Sequence, residues 1–498
     1  MKNFELNNYT YRVICDGKNE DARVSFISGE NTLSVSLSAK EDRPAFVLLE
    51  WSFETEDGLY VLGDAWERSY GELCFRKPDG KRALPWYFEA TNKKETFCFG
   101  VKTRPNAFVC FTYGEKGITA KIDCRNGGGG VRLCGRTVDL CTFVFRKYIK
   151  PPFESLQEYC RELCPDPVLP KEKIYGGNNW YYAYGNSSRE DILGDAALQA
   201  KLSKGIENRP FMVIDDGWQI NSTAGPYVPN EKFGDMKTLA DEIKALGVRP
   251  GIWIRLLDDP SQDLTPDMRI LRDGERKYLD PTNEAVKELI TNTLKRMTSW
   301  GYELIKHDFS TVDMFGQYGK DLTDSITNFS GWHFGDETKT NAEITLDFYR
   351  LIREACGNAL IIGCNTVSHL SAGLVEISRT GDDTSGREWA RTRKMGVNTL
   401  AFRLAQNKAF YLVDADCVGI LGSNIPWEKN RQWLDVLSKS DTALFISCGK
   451  ATDRQSADIE KAYAEIQKDH DIRPLDIYEN LTPSHWLIDG EETVYDWD

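Results

Sequence analysis

The sequence predicts an N-terminal antiparallel β-sandwich followed by a (β/α)8 TIM barrel, so that all-β and α/β parts share one chain of 498 residues. Three observations carry this prediction. Residues 1–150 alternate apolar and polar side chains with period two and sustain no helical period. From residue 172 onward, eight short apolar runs alternate with amphipathic stretches. Carboxylates stand where several of those runs end, which is where a barrel displays its reactive groups.

In the first part, strands are expected at 23–28, 32–37, 108–113 and 141–145, with turn signals at Asp79-Gly80 and from Asn126 to Gly130. Residues 151–171 are rich in proline and read as a linker with one short helix over Phe153–Leu163. Residues 172–470 read as the barrel. Its strands are expected within Ile174–Tyr182, Phe211–Trp218, Arg249–Leu257, Tyr302–Phe309, Leu360–Thr366, Leu374–Asp383, Phe410–Gly419 and Ala443–Gly449. Helices are expected at Arg189–Gly205, Thr238–Leu246, Ala285–Trp300, Ala342–Ala355, Arg387–Leu404 and Ser456–Gln467. A doubly wound open sheet is the alternative, but it would gather the polar residues at one switch point, and here they end nearly every strand. Residues 471–498 are too short for another domain and read as an extension packed on the barrel.

The net charge of −14 argues against a nucleic-acid partner. No apolar run reaches the roughly 18 residues of a membrane span. The start, Met1 to Leu6, lacks the apolar core of a signal peptide. The thirteen cysteines show no CxxC spacing, and several lie inside apolar strands, as in Phe97-Cys98-Phe99. They read as buried free thiols of a reducing compartment, and so of a cytoplasmic protein. The composition leaves self-association open.

The chemistry concentrates at strand ends. In Ile305-Lys306-His307-Asp308, alternation points Lys306 and Asp308 to one face and His307 to the helix layer. A lysine beside the carboxylate keeps it ionised and able to act as a nucleophile; the plainer reading is a structural salt bridge. Farther on, Glu376, Ser378, Thr380 and Asp382 share a parity. The adjacent Asp382 and Asp383 should crowd, raising one of them toward a general acid, and Arg379 stands close enough to neutralise a neighbouring site. Asp383 could equally cap the helix expected from Arg387. Asp215 and Asp216 can accept hydrogen bonds from vicinal hydroxyls, with Trp218 as an apolar wall. Read plainly, Asp-Asp-Gly is a turn, and a carboxylate Mg²⁺ site is the rival function. The five histidines do not pair at ligand spacing, so neither metal nor cofactor is expected. Trp180, Trp253 and Arg255 add stacking faces and a hydroxyl-binding cation at two more strand mouths.

These segments together resemble the clan of retaining α-galactosidases, glycoside hydrolase families 27 and 36, with family 36 the nearer. The resemblance rests on Gly177 to Tyr181, Ile214-Asp215-Asp216-Gly217-Trp218, Gly251-Ile252-Trp253, Trp300 to Phe309 and Thr380-Gly381-Asp382-Asp383-Thr384. It implies that Asp308 is the nucleophile and Asp382 the acid/base of a two-step retaining hydrolysis, with the two carboxyl groups about 5–5.5 Å apart. It implies that Asp215, Asp216 and Lys306 hold galactose hydroxyls and that Cys364 lies near the sugar C2, with Asn365 beside it. The chain departs from the family where His307 replaces a tryptophan, where Ile254-Arg255-Leu256 replace acidic residues, and where Cys364-Asn365-Thr366-Val367-Ser368 replace a glycine-rich segment. Small residues near C2 keep an α-N-acetylgalactosaminidase open. A β-L-arabinopyranosidase and a raffinose-synthase-like transglycosidase remain further alternatives.

Overall fold

The computed structural model describes residues 4–421 and 424–498. Met1–Asn3, where the reading for a leader begins, lie outside the described residues. The N-terminal part is a sandwich of a five-stranded and a six-stranded sheet, each paired antiparallel throughout. Strand Thr32–Ser38 shows why it forms. Leu33, Val35 and Leu37 are buried, and the serines between them face outward. The core is aromatic. The Phe99 ring lies 5.2 Å from Trp51, 5.1 Å from Phe111 and 5.6 Å from Phe143. Contacts of this kind add about 0.5–1.5 kcal/mol each beyond the buried area.

The run Asn126 to Gly130 is a docking point as well as a turn. A Cβ on Gly128 would stand 2.0 Å from the Phe329 carbonyl oxygen, and one on Gly127 2.4 Å from that of Trp332, so only glycine admits the barrel loop so close. The expected linker helix spans Pro152–Leu163 and is tied to the sandwich by the Tyr159 hydroxyl, which donates to the Val144 carbonyl at 2.7 Å.

Eight parallel strands follow: β1 Tyr175–Asn178, β2 Phe211–Ile214, β3 Arg249–Ile254, β4 Leu304–His307, β5 Leu360–Gly363, β6 Ile377–Arg379, β7 Leu412–Asp414 and β8 Leu444–Ser447. Neighbours in sequence are neighbours in the sheet, and β1 also pairs with β8. The seam between β7 and β8 closes through the Asp414–Ala443 bridge and through Val418–Gly419, which lies against β8. The helices start where their caps dictate. Ser188, Thr340 and Thr452 form capping boxes with Asp191, Glu343 and Gln455.

Two helical expectations differ from what is seen. The stretch Arg387–Leu404 is not one helix. It divides into Trp389–Arg391, a π-helical turn Thr392–Val397 and Asn398–Arg403. Such wide turns recur at functional sites, and Arg391, immediately before this one, reaches the site. A helix at Trp427–Lys439, preceded by Pro426, was not foreseen. The tail forms a three-stranded antiparallel sheet, Ile472–Pro474, His485–Ile488 and Glu491–Val494. It packs on the barrel, where Trp389 donates to the Trp497 carbonyl, and also on the sandwich, where Tyr478 meets Tyr60 and Phe75. All thirteen cysteines are free, eleven of them buried. Among the described residues no helix is long and apolar enough to cross a membrane.

Candidate active site

The ends of β1, β2, β4, β5, β6 and β7 converge on one mouth. Lys306 near the end of β4 donates to Asp215 Oδ2 at 2.6 Å, and Asn178 at the end of β1 donates to the same oxygen at 2.7 Å. Burial alone would lower the Lys306 ammonium, but Asp215, Cys364 and Asp308 hold it well above its ordinary value, so it stays charged. Asp308 follows directly. Its Oδ2 accepts from the Trp253 indole at 3.1 Å, and its Oδ1 accepts from the Phe309 amide at 2.8 Å. Phe309 sits in the left-handed region (φ 64°), which turns the chain sharply and begins the helix Ser310–Phe315. His307 points away, as alternation requires. Its ring packs 5.7 Å from Phe348 and 6.0 Å from Tyr349, and burial lowers it to about 4.

The end of β6 carries the second set of carboxylates. Asp382 meets Arg391 at 2.6 Å through Oδ2 and Arg68 at 3.0 Å through Oδ1, so both oxygens are engaged. Asp383 lies 3.3 Å from Arg379 and 3.7 Å from Arg68, and its side chain keeps 34% exposure against 15% for Asp382. Burial pushes Asp383 up, but Arg379, Arg68 and Lys306 outweigh it and hold the carboxyl at about 2. Arg379 also meets Asp416 at 3.1 Å and donates to Cys364 Sγ at 3.8 Å. Asp416 in turn accepts from the Thr384 amide at 2.7 Å and from the Tyr181 hydroxyl. The loop after β6 is therefore anchored from behind.

Several sequence expectations need correction. Alternation put Glu376, Ser378, Thr380 and Asp382 on one inward face, but Arg379 is the residue that points inward. Glu376 instead pairs with Arg353 of the outer helix Asn341–Cys356 at 2.6 Å. Strand β6 has only three residues, too few to carry a parity through Gly381. Trp218 walls no cavity. It is fully buried, donates to the Trp253 carbonyl at 3.0 Å and packs 6.2 Å from Trp300. The expected crowding of Asp382 and Asp383 is relieved by cations, and Asp383 caps no helix among the described residues. Asp216 spends both oxygens on the following hairpin, Oδ1 accepting from Gln219 Nε2 at 2.7 Å and Oδ2 from the Thr223 amide at 3.1 Å and the Ser222 hydroxyl at 3.3 Å. Arg255 is locked to buried Asp313 at 2.6 and 2.9 Å, with its guanidinium 4.4 Å over the Phe309 ring. Asn365 turns its buried amide away from every protein partner among the described residues, while its carbonyl accepts from Thr311 Oγ1 at 2.9 Å. Trp180 is partly exposed beside the mouth.

The sequence reading missed Arg68. It arrives from the sandwich on a loop that joins the barrel through one isolated β-bridge, between Ser69 and Gly381. The Ser69 amide donates to the Thr380 carbonyl at 2.8 Å, and the Asp382 amide donates back to the Ser69 carbonyl at 2.9 Å. The loop is pinned on both sides. Asp64 meets Arg403 at 2.8 Å, both fully buried, and Glu67 accepts from the Gly319 amide at 2.6 Å. No periodicity marks such a residue; the only signal is a Glu-Arg pair set among Trp66, Tyr70 and apolar neighbours. Asp313 and Arg391 were missed likewise.

No protein-family model matches the chain, and no curated protein matches it in sequence. Solved structures do match it in fold. An α-galactosidase from Thermus thermophilus in complex with p-nitrophenyl α-D-galactopyranoside superposes with a TM-score of 0.63 at 17% identity, covering 98% of this chain and 99% of that one. A variant family 36 α-galactosidase from Geobacillus stearothermophilus in complex with 1-deoxygalactonojirimycin gives 0.64 at 14% identity, covering 97% and 79%. The α-galactosidase from Lactobacillus brevis gives 0.59 at 12%, covering 93% and 70%. The chain has the fold of the family 36 α-galactosidases, sandwich and barrel together.

Proposed function

We propose that the protein is a retaining exo-glycoside hydrolase that removes terminal α-linked galactose. One observation carries the reading: Asp308 and Asp383 stand at the ends of β4 and β6 around the mouth that also holds Lys306, Asp215 and Asn178. A carboxylate fixed by an indole donor and a backbone amide is a preorganised nucleophile. A lysine and a carboxylate held together at the mouth can bind vicinal hydroxyls of a sugar. The sugars bound by the solved neighbours support galactose as the glycone.

In the first step Asp308 attacks the anomeric carbon, the glycosidic C–O bond breaks, and the leaving oxygen takes a proton from a second carboxyl group across the mouth. In the second, a water loses a proton to the same carboxylate as it attacks, and the Asp308 ester bond breaks. The sequence assigned this proton transfer to Asp382. We assign it to Asp383, because Asp382 has both oxygens held by guanidinium groups while Asp383 stays accessible. In the empty site Asp383 is ionised; a bound substrate that shuts out water pushes it upward, in the direction burial already acts. Asp382 then acts by positioning, holding Arg68 and Arg391 in place. The thirteen free thiols support a reducing, cytoplasmic setting.

A panel of aryl glycosides tests the reading. Turnover of the α-galactoside above the α-N-acetylgalactosaminide and the β-L-arabinopyranoside is expected. Preference for either of the other two would move the assignment within the clan, and turnover only with an acceptor sugar would make the protein a transglycosidase.

A further inference from the structure

The loop after Asp383 carries the mouth onto a surface with its own chemistry, where the Tyr184 hydroxyl donates to the Ser385 carbonyl at 3.4 Å. Tyr184 ends the short helix Trp180–Ala183 in the left-handed region (φ 45°) and keeps 39% exposure. Its ring lies 5.1 Å from that of Trp180, and the Arg387 guanidinium stacks 4.2 Å above it. Burial raises the Tyr184 phenol, Arg387 lowers it and Asp383 raises it again, so this ring shares the field of the acid/base candidate. The loop that presents Arg387 is fixed. Thr384 is bonded to Asp416, and Gly386 (φ 60°) packs so closely on Gly419 that an added Cβ would stand 2.7 Å from the Gly419 Cα.

Charge decides what this surface prefers. Arg68, Arg379 and Arg391 each meet a carboxylate of Asp382, Asp383 or Asp416. Those cations and anions balance. Arg387 is exposed and meets no carboxylate among the described residues, so its charge is uncompensated. A guanidinium already stacked on an aromatic ring loses little freedom when it binds an oxyanion. The aromatic pair beneath it offers a face for a sugar or aryl ring.

We propose that Trp180, Tyr184 and Arg387 form the leaving-group subsite, and that it selects a ring carrying an oxyanion: a carboxylate, sulfate or phosphate ester. This rests on the assignment of Asp383 as the proton donor, since the subsite is built on the loop that follows it and on the tyrosine bonded to that loop. The functional reading leaves the partner sugar open; this inference narrows it to an acidic one.

The test compares 4-nitrophenyl α-D-galactopyranoside with its 3-carboxylated counterpart, in the full chain and in Arg387→Gln and Arg387→Lys. The ratio of kcat/KM for the carboxylated over the neutral substrate is expected to fall about tenfold in Arg387→Gln, as loss of one charge-assisted contact implies, and less in Arg387→Lys. Added salt should lower the wild-type ratio toward that of Arg387→Gln. Equal ratios in wild type and Arg387→Gln, with turnover intact, overturn the subsite and leave the hydrolase reading standing. If neither compound is turned over, the hydrolase reading fails, and quenching of tryptophan fluorescence by the two compounds decides the subsite separately. Tighter binding of the carboxylated one, lost in Arg387→Gln, sustains it; equal binding refutes it.

Discussion

The sandwich and the barrel treat buried acids in opposite ways. Glu89, on strand Tyr87–Thr91 of the sandwich, is almost fully buried, and its Oε2 meets no partner among the described residues. Burial alone drives its carboxyl well above the usual range, so the fold favours its neutral form. At the barrel mouth Asp215 and Asp416 are just as removed from bulk water, and Asp382 and Asp383 partly so, yet each has a cation at 2.6 to 3.3 Å. The difference teaches that burial by itself makes an inert acid. Chemistry comes from burial combined with fixed opposite charge, which here the strand ends provide. Arg68 sharpens the contrast, because it reaches the proposed site on a loop that leaves the sandwich's own core.

The comparison breaks most visibly at the nucleophile. Asp308→Asn should lower kcat by about 10³-fold or more, whereas Glu89→Gln, the same chemical change in the sandwich, should leave turnover within twofold (about 0.4 kcal/mol). Next come the two neighbours on β6. Asp383→Ala should cost about 10²–10⁴-fold on an oligosaccharide and much less on an aryl galactoside with an activated leaving group. Azide should restore part of that activity. Asp382→Ala should lose less and show no azide rescue, because it removes a holding group; the reverse pattern would return the proton transfer to Asp382.

Arg68→Met should lower kcat/KM by about tenfold to a hundredfold, with Arg68→Lys recovering part of it. Removing this cation also raises Asp383, so the alkaline limb of the kcat profile, which reports the substrate-bound enzyme, should move to higher pH. A purely structural role for Arg68 would lower activity without that shift.

The smallest effects are on stability and follow from the sign of each shift. His307 and His369 are held at about 4 by burial, below the ordinary 6.5. The unfolded chain therefore binds more protons between those values, and stability is lost as pH falls from about 6.5 toward 4, by up to about 3 kcal/mol for each histidine. Glu89 is shifted the other way. Its contribution is present at low pH and lost as pH rises through its raised value, so Glu89→Gln should stabilise the protein at alkaline pH relative to wild type. Thermal denaturation across pH reads both trends.

What the sequence revealed divides along the same lines. The eight strands and the shared inward face of Lys306 and Asp308 were legible, because alternation is a local property and β4 keeps it to its end. The inward Arg379 was not, since three residues of β6 cannot define a face before Gly381 bends the chain. Trp218 misled for a related reason: β2 ends at Ile214, and the chain folds back and buries the indole in the wall. Arg68 was invisible because its contact with Asp382 spans more than three hundred residues and two domains. Long-range ion pairs leave no period to read.

The central claim is that an Asp308 ester forms and is resolved by the carboxylate on the far side of the mouth. Mass spectrometry of the protein after reaction with a slow 2-fluoro α-galactosyl donor tests it most directly. The account predicts one added galactosyl group on the peptide containing Asp308, with Asp383→Ala accumulating the same adduct from an activated substrate. A label on any other residue, or steady turnover with none trapped, would contradict it.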